Sequence, residues 1–293
     1  VFKRERLTLS LEDTEIRALV VQGQRMLYWE RLSLPADVLR NGQVLQPAPF
    51  AQAVARLIKR AGGSRKNITV SLGGQRSLVR IFDLPSVPPR LLEETVTRAA
   101  RRELPLSLEE LYLSWQVISE QSATRTQVFA LGIPRDMLDS FVDGLRGAGV
   151  RPRVMDLKPL ALVRAANLPD VLLVDVEEKT ESVVLVRGFI PYIVRSVAQP
   201  GGSSRALAER AELLVAEIQR TLDFYGSTGG AARHPAWSPS VCLTGALGGE
   251  EEVRTRIAAH WPLLDPNPTV AAPRDLPLLP YLVNIGLALK RTS

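Results

Sequence analysis

Two stretches of the chain alternate apolar runs and polar turns in the same order. In the first, Arg6 to Leu11 reads as a strand, Glu12 to Thr14 as a turn, and Ile16 to Val21 as the returning strand. Gly23-Gln24 turns again, and Met26 to Leu34 makes a third pass. In the second, Leu172 to Val176, the turn Glu177 to Glu181, Ser182 to Val186, the turn Arg187-Gly188 and Ile190 to Val197 repeat the layout. Apolar, β-branched runs of this length between turn residues predict strands near a sheet centre. Helical patterns follow each meander. The pattern therefore predicts two similar α/β halves facing each other across a cleft.

Between the meanders, Pro47 to Ala61 places Phe50, Val54, Leu57, Ile58 and Ala61 on one helical face and stops at Gly62-Gly63. Asn67 to Leu72 is the next strand, stopped by Gly73-Gly74. Residues 76–151 then read as a β-α-β-β-α unit. It consists of a strand Ser77 to Phe82, a helix from Pro88-Pro89 to Leu104, strands Leu111 to Ile118 and Thr126 to Ile133 about a polar tip, and a helix opened by Pro134. Pro159 to Asn167 reads as a linking helix. After the second meander, Ser203 or Ser204 is placed to cap a long helix to Tyr225. Ser227 to Ser240 reads as a surface loop, Val241 to Leu243 as a strand, Glu250 to Trp261 as a helix and Tyr281 to Arg291 as a terminal helix. The predicted domains are 1–75 with 152–170 and 279–293, an inserted subdomain 76–151, and a second domain 171–278.

Composition narrows the chemistry. The 293 residues, 45% hydrophobic and 23% charged, suit an ordinary globular protein with room for two domains. A single cysteine, Cys242, excludes an internal disulfide and reads as a small core residue. The histidines His234 and His260 lie far apart and form no metal or catalytic motif. There is no run of about 18 apolar residues and no secretory segment at Val1 to Arg4, so a cytoplasmic location is expected. The net charge of +6 is scattered along the chain, and aromatics at 5% offer no base-stacking platform. The densest cationic cluster, Arg98, Arg101 and Arg102, closes a predicted helix where cations suit the dipole. It reads equally as a solvated helix end or as a binding patch.

Several stretches resemble the type IV pilus assembly protein PilM family, which has the actin-like (ribonuclease H-like) fold and is related to the cell-division protein FtsA. They are Val79 to Pro88, the helix to Glu103-Leu104-Pro105-Leu106, Glu109 to Val117, Val154 to Leu162, and Ile218 to Tyr225. The resemblance implies that two hairpin turns, Leu11 to Glu15 and Asp175 to Ser182, and a glycine-rich turn, Thr244 to Gly248, face a nucleotide. The matching positions are Asp13, Thr14, Asp175, Thr180, Gly245 and Gly248.

Both hairpins depart from the pattern. Phosphates need closely approaching N–H groups and no nearby anions. The first turn has three acids and no glycine, and the second has four acids, one lysine and no glycine. Like charges about 4 Å apart repel by about 1 kcal/mol even in bulk water. Asp175, Glu177 and Glu178 read as a solvated turn. The helical subdomain that covers the adenosine in the family is reduced to Gln199 to Ser204. The expectation is therefore no cofactor and no catalysis. Retained binding of ATP with magnesium is the alternative.

The family implies a scaffold on the cytoplasmic side of the inner membrane, capturing the short N-terminal tail of a bitopic PilN-like partner, with a pilus motor ATPase as a further candidate partner. By resemblance the tail lies in a groove between the first domain and the insert, bordered by Leu84, Pro85, Leu91, Arg98, Arg101, Arg102, Leu104, Pro105 and Leu106. The cytoplasmic domain of a type II secretion assembly protein is the other alternative. No nucleic-acid partner is expected.

Overall fold

Burial patterning sets the strands. A computed structural model of the chain describes residues 5–62, 67–73, 75–122, 124–199, 206–227, 237 and 239–290. The first meander forms β1 (Glu5–Leu11), β2 (Glu15–Gln22) and β3 (Arg25–Ser33). A small hairpin, β4 (Leu39–Arg40) and β5 (Gln43–Val44), turns at Asn41-Gly42, both in the left-handed region that this turn requires. Helix α1 (Pro47–Ala61) follows, then β6 (Ile68–Leu72).

The chain continues through β7 (Leu78–Pro85), α2 (Pro89–Glu103), β8 (Leu111–Ser122), β9 (Arg125–Pro134) and α3 (Arg135–Gly147). Here β8 and β9 run on through the stretch read as a polar tip, because cross-strand pairing continues to Ser122 and Arg125. A short strand not anticipated from the sequence, β10 (Val154–Leu157), leads into α4 (Lys158–Ala166). The second meander is β11 (Val171–Val176), β12 (Thr180–Arg187) and β13 (Ile190–Ala198). Then come α5 (Leu207–Ser227), β14 (Val241–Thr244), α6 (Glu251–Ala258) and α7 (Leu278–Leu289). Helix α7 starts before the expected Tyr281, since Pro280 sits in its first turn, where a helix needs no N–H donor. The Ser203 or Ser204 cap, His234 and most of the 227–240 loop lie outside the described residues.

The sheets repeat one plan. In the first, ordered β10-β6-β1-β2-β3, the antiparallel meander is extended on the β1 side by parallel β6 and β10. In the second, ordered β13-β12-β11-β14, the meander is extended by parallel β14 beside β11. Every residue of β11 and β12 is buried, as expected of strands covered on both faces.

A core shared by Leu19, Val21, Leu173, Val184, Ala161, Leu162, Leu282 and Ile285 joins both sheets to α4 and α7. At Gly286 the helices touch so closely that an added Cβ would lie 1.8 Å from the Ala161 carbonyl oxygen. Asn284, fully buried on α7, donates to the Thr8 carbonyl at 3.1 Å and the Arg17 carbonyl at 3.2 Å, fastening α7 to β1 and β2.

The chain forms two compact units, one of Val1–Gln75 with Val142–Ser293 and one of Arg76–Phe141. Both meander sheets belong to the first. In the smaller unit, sheet β7-β9-β8 packs against α2 through Phe82, Leu84, Val96, Ala100, Leu104, Leu111 and Val128.

Candidate functional site: a buried ionic cluster at the hairpin turns

The two meander turns face inward. Glu12 N–H donates to the Glu15 carbonyl at 2.9 Å, and Glu177 N–H donates to the Thr180 carbonyl at 2.9 Å, closing turns of the same form. Their acidic side chains do not project into solvent. Glu12 is 7% exposed, Asp175 1% and Glu177 3%. The solvated turn expected for Asp175 and Glu177 is thus corrected, while Glu178 is exposed. Burial is tolerated because two buried cations meet these acids.

The first is Lys158. As the first residue of α4 its charge opposes the helix dipole. Carboxylates offset this, with Nζ lying 2.8 Å from Glu12 Oε1, 2.6 Å from Asp175 Oδ2 and 3.4 Å from Glu177 Oε1. The second is Arg17, fully buried on β2. Its fork donates to Glu177 Oε1 at 2.8 Å and Oε2 at 2.7 Å. It also reaches Glu15 at 2.5 Å and the Pro280 carbonyl at 3.0 Å.

Proton affinities follow from this layout. Four carboxylates surround two cations. Burial pushes Glu12 up to about 7, against the pull of Lys158. Burial also raises Asp175, whose Oδ1 has no hydrogen-bond partner among the described residues. Burial would raise Glu177 as well, but Lys158 and Arg17 outweigh it and bring it down to about 2. Lys158 is held above its ordinary value, since Asp175, Glu12 and Glu177 overcome its own desolvation.

The glycine turn completes the enclosure. Gly245 has a φ of 89°, and a Cβ there would lie 2.6 Å from the Val176 carbonyl oxygen. At Gly248 a Cβ would lie 2.4 Å from the Thr244 carbonyl oxygen. Both glycines are required by backbone packing. Leu247 N–H donates to the Val176 carbonyl at 2.9 Å, and Ala246 N–H donates to Glu177 Oε2 at 3.4 Å. From the other side, Arg210 of α5 donates to Glu181 at 3.0 Å and to the Glu177 and Glu178 carbonyls at 2.6 and 3.1 Å, clamping the second turn.

Of the positions matched to the nucleotide site, Asp175, Thr180 and Gly245 adjoin this cluster. Asp13 instead accepts the Asn41 N–H at 2.9 Å and fixes the β4–β5 turn. Thr14 is half-buried, and its carbonyl accepts the Leu34 N–H at 2.7 Å. Cys242 is fully buried, and burial raises its thiol to about 12.

In the smaller unit, Leu84 and Leu104 belong to the core. Pro85, Leu91, Pro105, Leu106 and the three arginines are exposed. Arg98 pairs with Glu94 at 2.6 Å and Arg102 with Glu103 at 2.8 Å; the Arg101 side chain has no partner among the described residues.

Reading the sequence for acids alone misses Lys158, Arg17 and Arg210. A signal existed for Arg17, a single charge inside the otherwise apolar run Ile16 to Val21.

Two matching sheets, each a meander with parallel strands added beside its first strand, and paired turns meeting at one buried site define a protein of the actin-like fold. Comparison with known proteins narrows this further. A family model described as type IV pilus assembly protein PilM matches residues 15–187. The chain belongs to the PilM family of type IV pilus assembly proteins.

Among solved structures, a PilM–PilN type IV pilus biogenesis complex superposes with a TM-score of 0.73 at 22% identity, covering 98% of each chain. The cytoplasmic domain of EpsL, an inner-membrane component of the type II secretion system of Vibrio cholerae, gives 0.56 at 14% identity, covering 98% of this chain and 96% of that one. The ethanolamine utilization protein EutJ from Carboxydothermus hydrogenoformans gives 0.54 at 13%, covering 97% and 89%. No curated protein matches. Among the described residues, no helix is long and apolar enough to cross a membrane.

Proposed function

We propose that this chain is a non-catalytic scaffold of type IV pilus assembly. Its actin-like cleft is kept as a brace and no longer serves as a nucleotide site. One observation carries the reading. The groups best suited to hold an anion at the turns, the Arg17 fork, Lys158 and the Ala246 N–H, all converge on the chain's own Glu177 carboxylate. A triphosphate entering there would have to displace a doubly hydrogen-bonded, buried ion pair and would then face Glu12 and Asp175. Lys158 and Arg17 offset two of the four carboxylates, so occupancy of the anion-binding groups by Glu177 adds to the barrier from charge.

The partner we infer is PilN-like, a bitopic inner-membrane protein whose short cytoplasmic tail is captured. A solved relative is a PilM–PilN complex. On the smaller unit, Pro85, Leu91 and Leu106 are exposed apolar contacts, and Arg101 is the cation of its cluster left for an acidic group on the tail. The chain then works on the cytoplasmic face of the inner membrane, held there by its partner.

Two measurements test this. Millimolar Mg-ATP is expected to leave the melting temperature unchanged. A ligand at about 100 times its Kd would add about 2.7 kcal/mol, so a clear upward shift refutes the loss of the nucleotide site, and ATP turnover measured next would refute the non-catalytic reading. A synthetic tail peptide of the PilN-like partner is expected to bind, and Arg101→Glu to weaken it. Absence of binding at high micromolar peptide refutes the partner assignment.

A further inference from the structure

Past the end of α3 the chain enters β10 through a cationic stretch. Between Val142 and Met155 it carries Arg146, Arg151 and Arg153 against one acid, Asp143. The three arginines line a depression of about 590 Å³ whose other walls are Val142, Pro152 and Met155. The apolar three are half-buried and the arginines exposed, giving an apolar floor with a charged rim.

These cations are short of acids. Arg146 meets Asp143 at 3.0 Å in a fully surface pair, which opens at little cost. The Arg151 and Arg153 side chains have no hydrogen bond or ion pair among the described residues. Arg153 is positioned by its backbone, which donates to the Ile68 carbonyl at 2.8 Å. A fourth cation stands close by. Burial, and then the charge of Arg153, hold the Arg6 guanidinium below its ordinary pKa. Arg6 is fixed by the Ala288 and Lys290 carbonyls at 2.7 and 2.9 Å. The acid of β10, Asp156, is already taken by Arg164 and by Lys290 at 2.9 Å. Arg6 and Arg153 therefore repel, and among the described residues neither side chain has a carboxylate partner.

We propose that this depression binds a phosphate-bearing anion with an apolar body. Arginine forks match phosphate oxygens in pairs, and a weakly hydrated guanidinium gives up water readily. Val142, Pro152 and Met155 supply the apolar contact that inorganic ions do not use. A glycerophospholipid headgroup at an anionic membrane face and a soluble organic phosphate share this chemistry.

The test uses the intact chain with Arg151→Gln plus Arg153→Gln. Its control is Arg56→Gln plus Lys59→Gln, which removes the same charge from the exposed side of α1. Co-sedimentation is measured with phosphatidylglycerol-containing vesicles and with phosphatidylcholine vesicles. Thermal unfolding is measured with glycerol phosphate and with inorganic phosphate. Each arginine near an anionic surface contributes about fivefold, so the double variant is expected to lose vesicle affinity by roughly thirtyfold relative to wild type, beyond any loss in the control. That result identifies a lipid source. Stabilisation of wild type and control, but not of the double variant, by glycerol phosphate without vesicle binding identifies a soluble source. If neither probe separates the double variant from the control, the proposal is overturned.

Discussion

Arg17 and Glu177 are 160 residues apart in sequence and form a two-point hydrogen-bonded pair, at 2.8 and 2.7 Å, between strand β2 of the first meander and the turn of the second. Arg17 is fully buried and Glu177 nearly so. A pair in such a setting contributes little net stability against an apolar substitute, but removing one partner strands the other's charge. The cluster is thus sensitive to single changes.

Glu177→Ala should cost about 3–5 kcal/mol, because Arg17 and Lys158 then lack their shared counter-ion. At this chain length that is a fall in Tm on the order of ten degrees. Formate should recover part of the loss in the variant and shift wild type less. Thermal unfolding in chloride against formate is the measurement. A variant that is destabilised and indifferent to formate would show that Arg17 and Lys158 do not form an anion site.

Stability should depend on pH in a direction set by the cluster. Glu12, raised to about 7 from 4.5, and Asp175, raised as well, bind protons more tightly in the folded chain than in the unfolded one. Their effect is to lower stability as pH rises from the ordinary carboxylate range through about 7. Glu177, lowered to about 2, acts in the opposite sense, and its contribution is lost as pH falls below 4.5. The cluster therefore favours a maximum near about pH 5. Urea midpoints at constant ionic strength will show a decline towards neutrality, and Glu12→Gln should flatten it.

Lys158→Met removes the cation shared by three carboxylates. The expected loss is again about 3–5 kcal/mol at neutral pH. It should shrink in mild acid, where Glu12 and Asp175 take up protons. A loss that does not change with pH would argue for packing, not charge, as the role of Lys158.

Gly286→Ala tests the helix crossing. The added methyl would meet the Ala161 carbonyl oxygen at 1.8 Å, so α4 and α7 must separate. Overpacking of this kind costs about 1–3 kcal/mol, occasionally more, and here the upper end is expected. Gly62→Ala is a useful comparison. Its methyl meets nothing within 4 Å, so its cost should be only that of a left-handed φ.

Cys242 should resist alkylation in the native protein and react at once in denaturant, since it is fully buried and its thiol is raised to about 12. Thiol titration with and without guanidinium reads this directly.

Much of the fold was legible because alternation and turn residues report local geometry. The six meander strands, α1 and α2 were anticipated within a few residues. The short strand β10 was not, for Val154 to Leu157 has a charged residue at its third position and gains its identity only from pairing with β6. The site was legible in part. Gly245 and Gly248 mark a tight turn in the sequence itself. The inward direction of Glu12, Asp175 and Glu177 was not visible, because turn acids normally face water. What reverses this is Lys158 and Arg17, which reach the turns from other elements, and a distance of 160 residues between Arg17 and Glu177 leaves no local trace.

The bond from Asn284 to Thr8 spans 276 residues and fastens α7 across β1. During synthesis the ribosome therefore releases the first sheet long before the helix that covers it. Until α7 emerges, the carbonyls of Thr8 and Arg17 and the apolar residues beside them remain open to other contacts. A chain cut short before residue 284 would lack this fastening and leave the β1–β2 surface uncovered by α7.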